Sequence, residues 1–223
     1  MRWIEKHRPD SFSDIAGHDE ILQQIEGFIL SGDIPHLLFW GDPGTGKTTV
    51  AEIIARKLLG DYLNDNLIEL NASDNRGIDD MRDIVLSSIR HKSFFGEIKI
   101  VFLDEADGLT TDAQDSLRRP MERSKIALFV LCCNDLERIS KAIQSRCAVY
   151  EFTAPTIGDI VIRLQQICTA ENQDIPETVL REISIRAAGD IRCAVNELQK
   201  VSASGQDMEI NRIMQKYIEA VPA

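Results

Sequence analysis

The stretch Gly41-Asp42-Pro43-Gly44-Thr45-Gly46-Lys47-Thr48 lies between an apolar run, His36-Leu37-Leu38-Phe39-Trp40, and a helix-forming run, Thr49-Val50-Ala51-Glu52-Ile53-Ile54-Ala55-Arg56-Lys57-Leu58-Leu59, which Gly60 closes. The first flank reads as a buried strand and the second as a helix. Strand, glycine loop and helix in that order wrap a polyphosphate. Glycines at 41, 44 and 46 let successive backbone N–H groups curl around the β-phosphate, and the helix N-terminus adds unpaired donors and its positive dipole end. Lys47 is expected to neutralise the β/γ oxygens, and the Thr48 hydroxyl to ligate Mg²⁺. Gly41 through Thr49 are therefore the candidate ATP-binding residues. A chance glycine-rich turn would lack the two flanks.

A second motif predicts that the triphosphate is hydrolysed. Lys99-Ile100-Val101-Phe102-Leu103 is an apolar strand ending in Asp104-Glu105-Ala106-Asp107, and carboxylates at the carboxyl end of a buried parallel strand face the ligand crevice. Asp104 is expected to hold the Mg²⁺ shell and Glu105 to polarise the attacking water. The bland alternative is a solvated acidic turn, which would not require an unbroken apolar strand downstream of a phosphate loop.

Strand-like runs at 37–40, 67–70, 99–103, 127–132 and 148–152 alternate with helical stretches at about 19–31, 48–59, 77–91 and 112–123. That alternation predicts an α/β fold with a five-stranded parallel sheet flanked by helices. After Thr153-Ala154-Pro155 three amphipathic stretches follow, at about 157–172, 176–188 and 190–203, the second opened by Pro176. They predict a small all-helical lid, with a core over 1–154 and a lid over 155–223.

With 223 residues and 43% hydrophobic content, the chain can bury a full α/β core with a small second domain. No run approaches a membrane span and the N-terminus has no signal-peptide core, which predicts a cytoplasmic protein without membrane contact. Five cysteines, an odd number without CxxC spacing, predict buried thiols in place of zinc or disulfides. A formal charge of −11 confines any nucleic-acid contact to a local basic surface.

Several further segments join these motifs: Trp3-Ile4-Glu5-Lys6-His7-Arg8-Pro9, Asn71-Ala72-Ser73-Asp74-Asn75-Arg76-Gly77, Cys133-Asn134, Ser145-Arg146-Cys147 and Gly189-Asp190-Ile191-Arg192. Together they closely resemble the replication factor C small subunits, AAA+ clamp-loader ATPases of archaea and eukaryotes, and the compact chain leans archaeal. The resemblance implies ATP-driven opening and placement of a sliding clamp, PCNA, on primer–template DNA, within an assembly of a large subunit and small-subunit copies. It implies that Arg8 and Pro9 border the nucleotide and that Asn134 is the sensor that orients the attacking water. It further implies that Arg146 is an arginine finger for the neighbouring subunit's ATP, and that Arg192 is the lid's sensor of the γ-phosphate. Read without the resemblance, Asn134 is a strand-end turn residue and both arginines are surface residues.

The resemblance also implies that the helix after Asn71 follows the DNA backbone, where Arg82, Arg90 and Lys92 are the candidate contacts. A solvated mixed-charge face, diluted by Asp79, Asp80 and Asp83, is the other reading. The basic stretch Arg118 to Lys125 shares that ambiguity. Phe94 and Phe95 stand where the family touches the clamp, and they read equally as core lining.

Departures from the family pattern carry expectations of their own. His7 stands where Tyr is usual and His18 where Gln is usual, so the adenine pocket is expected to pack differently. Thr111-Asp112-Ala113-Gln114 has the capping-box pattern. Pro120 is expected to kink or stop that helix near Arg119, since an interior proline costs ~3 kcal/mol or more. The family continues into a helical collar, and the sequence here stops soon after the lid, as a shortened piece or a short paralogue would.

Two other functions fit parts of the sequence. Asp-Glu-Ala-Asp occurs in RNA helicases, but those carry two α/β cores, and a helical lid with Arg192 follows here. A bacterial-type clamp loader would place a four-cysteine zinc insert between Lys47 and Asp104, and none is present. The remaining alternative is a nucleotide-binding assembly or regulatory subunit with little hydrolysis of its own.

Overall fold

The computed structural model describes residues 1–72, 85, 87, 98–123 and 126–203. Two compact units divide the chain: Asp19–Asp42 with Lys47–Phe152, and Met1–His18 with Pro43–Gly46 and the residues from Thr153 onward. The first eighteen residues thus group with the helical unit, whereas the sequence boundary counts them with the core.

The first unit is built on a sheet of β1 (His36–Trp40), β2 (Leu67–Asn71), β3 (Lys99–Asp104), β4 (Ala127–Cys133) and β5 (Cys147–Glu151), in the order β2-β3-β4-β1-β5. All four pairings are parallel, with Trp40 opposite Cys133 and His36 opposite Cys147. The expected parallel sheet is present, with β5 set one residue earlier than expected. Phe152 follows it and still donates its N–H to the Trp40 carbonyl at 2.7 Å.

Because successive side chains leave opposite faces of a strand, the sheet needs two apolar covers. On one face Leu38, Val101, Leu103, Phe129 and Leu131 form a core with Ala113, Leu117 and Met121, from the helix Thr111–Arg123. The helix Lys47–Leu59, with Val50, Ile53 and Ile54 buried, packs on β3 and β4 outside that cluster. Each such side chain contributes about 1.5–3 kcal/mol on burial, which is what holds the strand ends in place.

The helix Thr111–Arg123 runs through Pro120 to Arg123, so the expected stop near Arg119 does not occur. Pro120 and Met121 are both buried, and their packing offsets the lost backbone bond. The capping expectation is also corrected. Thr110, one residue earlier than expected, receives the Ala113 N–H on its hydroxyl at 3.3 Å. Gln114 turns inward, donating to the Leu109 and Arg138 carbonyls and accepting from the Ser140 N–H at 2.7 Å.

In the second unit the helices Ile157–Ala170, Glu177–Ala187 and Ile191–Ala203 enclose Leu164, Ile167, Leu180, Ile183 and Leu198. Thr156 and Asp159 form a reciprocal capping box at the first of these helices. Trp3 joins this core, and its backbone N–H donates to Gln199 at 2.9 Å. Of the five cysteines, Cys132, Cys133 and Cys168 are buried, Cys147 is half-buried and Cys193 exposed. No helix among the described residues is long and apolar enough to cross a membrane.

Candidate active site

The order β3-β4-β1 places three carboxyl ends side by side, and the candidate hydrolytic residues follow them. Gly41 comes directly after β1. Its φ of +142° and a Cβ that would lie 2.2 Å from the Phe152 carbonyl oxygen require glycine there. Lys47 begins the next helix and is only 7% exposed. Its ammonium donates to the Gly41 carbonyl at 2.7 Å and the Asp42 carbonyl at 2.8 Å. Burial pulls its pKa below the ordinary lysine range, against the carboxylates of Asp104 and Asp42 that raise it. The loop's own carbonyls therefore hold this ammonium in place.

Thr48 donates its hydroxyl to Asp104 Oδ2 at 3.1 Å, and Asp104 Oδ1 accepts the Glu105 N–H at 3.0 Å. Asp104 thus ties the end of β3 to the start of the helix after the loop. Glu105 is exposed and adopts a left-handed backbone, φ +52° and ψ +39°. A non-glycine residue held there stores local strain of the kind that collects at functional sites. The composition of the motif gives no signal for that strain. Asn134 is exposed in the bend directly after β4, one residue past the partner of Trp40. The floor beneath these groups is Cys132 and Cys133, whose thiols burial pushes up, Cys133 to about 12. They are inert apolar packing, not nucleophiles.

Within the helical unit, the loop residues Pro43–Gly46 meet the segment ahead of Arg192. A Cβ on Gly44, where φ is +83°, would lie 2.4 Å from Asp190 Oδ1. That same oxygen accepts the Cys193 N–H at 3.0 Å and caps the helix whose second residue is Arg192, exposed to solvent. Asp190 was not among the expected site residues, although its capping position before a helix was readable. His18 contacts the Thr45 carbonyl oxygen through Nε2 at 3.1 Å and has φ +67°. His7 pairs through Nε2 with Glu171, which Lys6 also reaches at 2.7 Å. Arg8 is exposed and Pro9 half-buried.

Arg146 lies at the other end of the sheet. It directly precedes β5, whose Cys147 pairs with His36 at the amino end of β1. Arg82, Arg90, Lys92, Phe94 and Phe95 lie outside the described residues, as does the helical stretch 77–91 apart from Val85 and Ser87.

Residues 37–154 match the model of the ATPase family associated with various cellular activities (AAA). The chain is 44% identical over 222 residues to a replication factor C small subunit of Archaeoglobus fulgidus, covering 99% of this chain and 70% of that protein. It is 42% identical over 223 residues to one from Methanocella arvoryzae, with 99% and 69% covered. A third, from Haloarcula marismortui, is 44% identical over 209 residues, with 93% of this chain and 64% of that protein covered. Among solved structures, the Thermotoga maritima RuvB Holliday junction branch migration motor superposes with a TM-score of 0.76 at 20% identity, covering 94% of this chain and 72% of that one. That likeness speaks for the fold. The fold, the loop with its facing carboxylates and the relatives agree, and the chain belongs to the replication factor C small subunit family of AAA ATPases.

Proposed function

We propose that this chain binds and hydrolyses ATP as a subunit of a sliding-clamp loader, working with a large subunit and other small-subunit copies to place PCNA on primer–template DNA. The observation that carries the hydrolytic part is the convergence of Lys47, Thr48, Asp104, Glu105 and Asn134 on neighbouring strand ends. Lys47, held by its own loop, supplies a fixed cation for the β/γ oxygens. Glu105 takes the proton from the attacking water. Asn134 orients that water, and Arg192 reports the γ-phosphate to the lid, so core 1–154 and lid 155–223 act as separate functional parts. Arg8, Pro9 and Thr49 border the nucleotide.

Thr48 and Asp104 also suit Mg²⁺. Their oxygens are 3.1 Å apart, close to the separation of about 3 Å between adjacent ligands of an octahedron with bonds of 2.0–2.1 Å. No group of three or more His, Cys, Asp or Glu among the described residues is arranged to hold a metal. Thr48 and Asp104 would hold the ion, which would supply positive charge against the charge that develops on the phosphates.

Arg146 acts on the neighbour's ATP. The four residue steps of β1 from His36 to Trp40, about 13 Å at ~3.3 Å per step, separate it from its own loop. A lone chain is therefore a slow ATPase that binds primed DNA weakly and with steep salt dependence. Arg82, Arg90 and Lys92 are the proposed DNA contacts, and Phe94 and Phe95 the proposed clamp contacts. The deciding experiment is ATPase rate against protein concentration, with and without primed DNA, clamp and a full-length family small subunit. The rate per chain should rise with assembly; a fast rate unchanged on dilution of a proven monomer overturns the reading.

A further inference from the structure

Arg146 reaches the amino end of the sheet from a short helix, Lys141–Gln144. One terminal nitrogen donates to the Ala142 carbonyl and to the Ser145 hydroxyl at 3.4 Å, and the other to the Glu122 carboxylate. Among the described residues Glu122 is its only ion-pair partner. Nε is buried with no acceptor among the described residues. A buried donor without an acceptor is costly, so this rotamer persists because the contacts of the terminal nitrogens offset that cost. The Ala142 carbonyl is neutral and local. Glu122 supplies the charge.

Glu122 is itself fixed. Met121, directly before it, is buried, and its carbonyl accepts from His36 Nε2 at 2.9 Å. His36 Nδ1 accepts the Phe129 N–H at 3.2 Å, so one neutral tautomer serves both bonds. Burial lowers the His36 pKa and keeps that ring neutral. The first residue of β1 and a residue of β4 thus anchor the helix end that carries Glu122. Arg118, four residues earlier, is engaged with Asp115 at 3.3 Å. The Glu122 carboxyl is held below the usual carboxylate range, chiefly by its hydrogen bond to Arg146 and then by that residue's charge.

We infer that Glu122 is the positioning residue for Arg146, fixing the guanidinium at the amino ends of the strands before a neighbouring subunit's phosphate arrives. This rests on the reading of Arg146 as a finger acting in trans. The terminal nitrogen that meets Glu122 has two N–H groups and spends one within the chain, so one remains to offer, while the other terminal nitrogen is engaged with Ala142 and Ser145. Arginine is long and rotamer-rich, and ordering it beforehand removes that cost from the transition state it serves. Glu122 acts through Arg146 alone and touches no substrate.

The test compares Glu122→Ala, Glu122→Gln, Arg146→Ala and the double variant Glu122→Ala/Arg146→Ala, each at concentrations where a full-length family small subunit is assembled with it, and again in dilute solution. Glu122→Ala should lower kcat in the assembly ~10- to 100-fold, with KM for ATP within about twofold of the parent and the dilute rate unchanged. Glu122→Gln, which keeps an acceptor without the charge, should fall between. The double variant should be no slower than Arg146→Ala. A parental kcat for Glu122→Ala beside a slow Arg146→Ala overturns this inference alone. A parental rate for Arg146→Ala removes the finger reading and this inference with it. Extra loss from Glu122→Ala in the Arg146→Ala background, or unfolding of Glu122→Ala by circular dichroism while Glu122→Gln stays folded at the parental rate, shows a merely structural role and also overturns it.

Discussion

At the carboxyl ends of the strands Lys47 bonds carbonyls five and six residues away, whereas at the amino ends Arg146 reaches a carboxylate 24 residues away. The first cation is buried and held by its own loop; the second is partly exposed and held by another element's side chain. Under the proposed roles, the difference follows from what each would do. A group that receives ATP within the chain can be fixed by local backbone. A group that serves another molecule has to sit near the surface and still be ordered.

The largest effect that tests this contrast comes from the carboxyl end. Lys47→Ala should weaken ATP binding by ~10²-fold or more, since it removes charge-assisted bonds to phosphate. Glu105→Gln should leave binding intact and slow turnover by ~10²–10⁴-fold, because it acts on the water only during reaction. Titration with a fluorescent ATP analogue and phosphate-release kinetics separate the two. Parental turnover in Glu105→Gln would remove the general base from the carboxyl end.

Arg146→Ala should cost assembled turnover ~10³-fold, the scale of an arginine supplied in trans, while leaving ATP affinity near parental and the dilute rate unaltered. Equal losses in monomer and assembly would erase the distinction between the two ends. A smaller, structural effect checks that β1 is the rigid spacer between them. Phe39 is fully buried and packs against Phe152 with ring centroids 5.0 Å apart. Phe39→Ala should lower stability by ~3–5 kcal/mol in denaturant melts, with no selective loss at either end once the folded fraction is accounted for.

The smallest expected effect is at Arg118. Its bridge to Asp115 joins side chains 45% and 55% exposed, and Arg118→Ala should change stability by about 0.5 kcal/mol or less. A larger change would mean that exposed charge on this helix matters as much as the Glu122–Arg146 pair.

The carboxyl end was legible in sequence because its parts are contiguous: strand, glycine loop, helix, then a strand ending in two carboxylates. The element pattern was equally plain, since β-period runs and helical runs alternate with clear breaks, and the helix Asp19–Ser31 lies where its spacing placed it. The amino end was not. Nothing in a sequence marks Glu122 as the partner of Arg146, because the pairing depends on where β5 enters the sheet. The left-handed backbone of Glu105 is likewise a tertiary outcome in a residue type that rarely adopts it. Of the kink or stop that Pro120 announced, the stop did not occur: the helix continues to Arg123 with Pro120 and Met121 buried. The capping site shifted by one residue because Gln114 found three partners within the fold in place of the helix end.

The placement of Lys47 and Arg146 at opposite ends of one parallel sheet also sets a symmetry rule. A two-fold pair of these chains would have to bring both ends into a single self-complementary patch, which their separation along β1 opposes. If Arg146 serves a neighbour as proposed, association through donor and acceptor ends would instead be head-to-tail, and such contacts either close into a ring or leave an open row. In an open row the two outermost members differ: one presents an arginine that meets no nucleotide, and the other holds a nucleotide that meets no arginine. An array of otherwise identical chains would therefore have a polarity and a built-in silent site, fixed by the direction of five parallel strands.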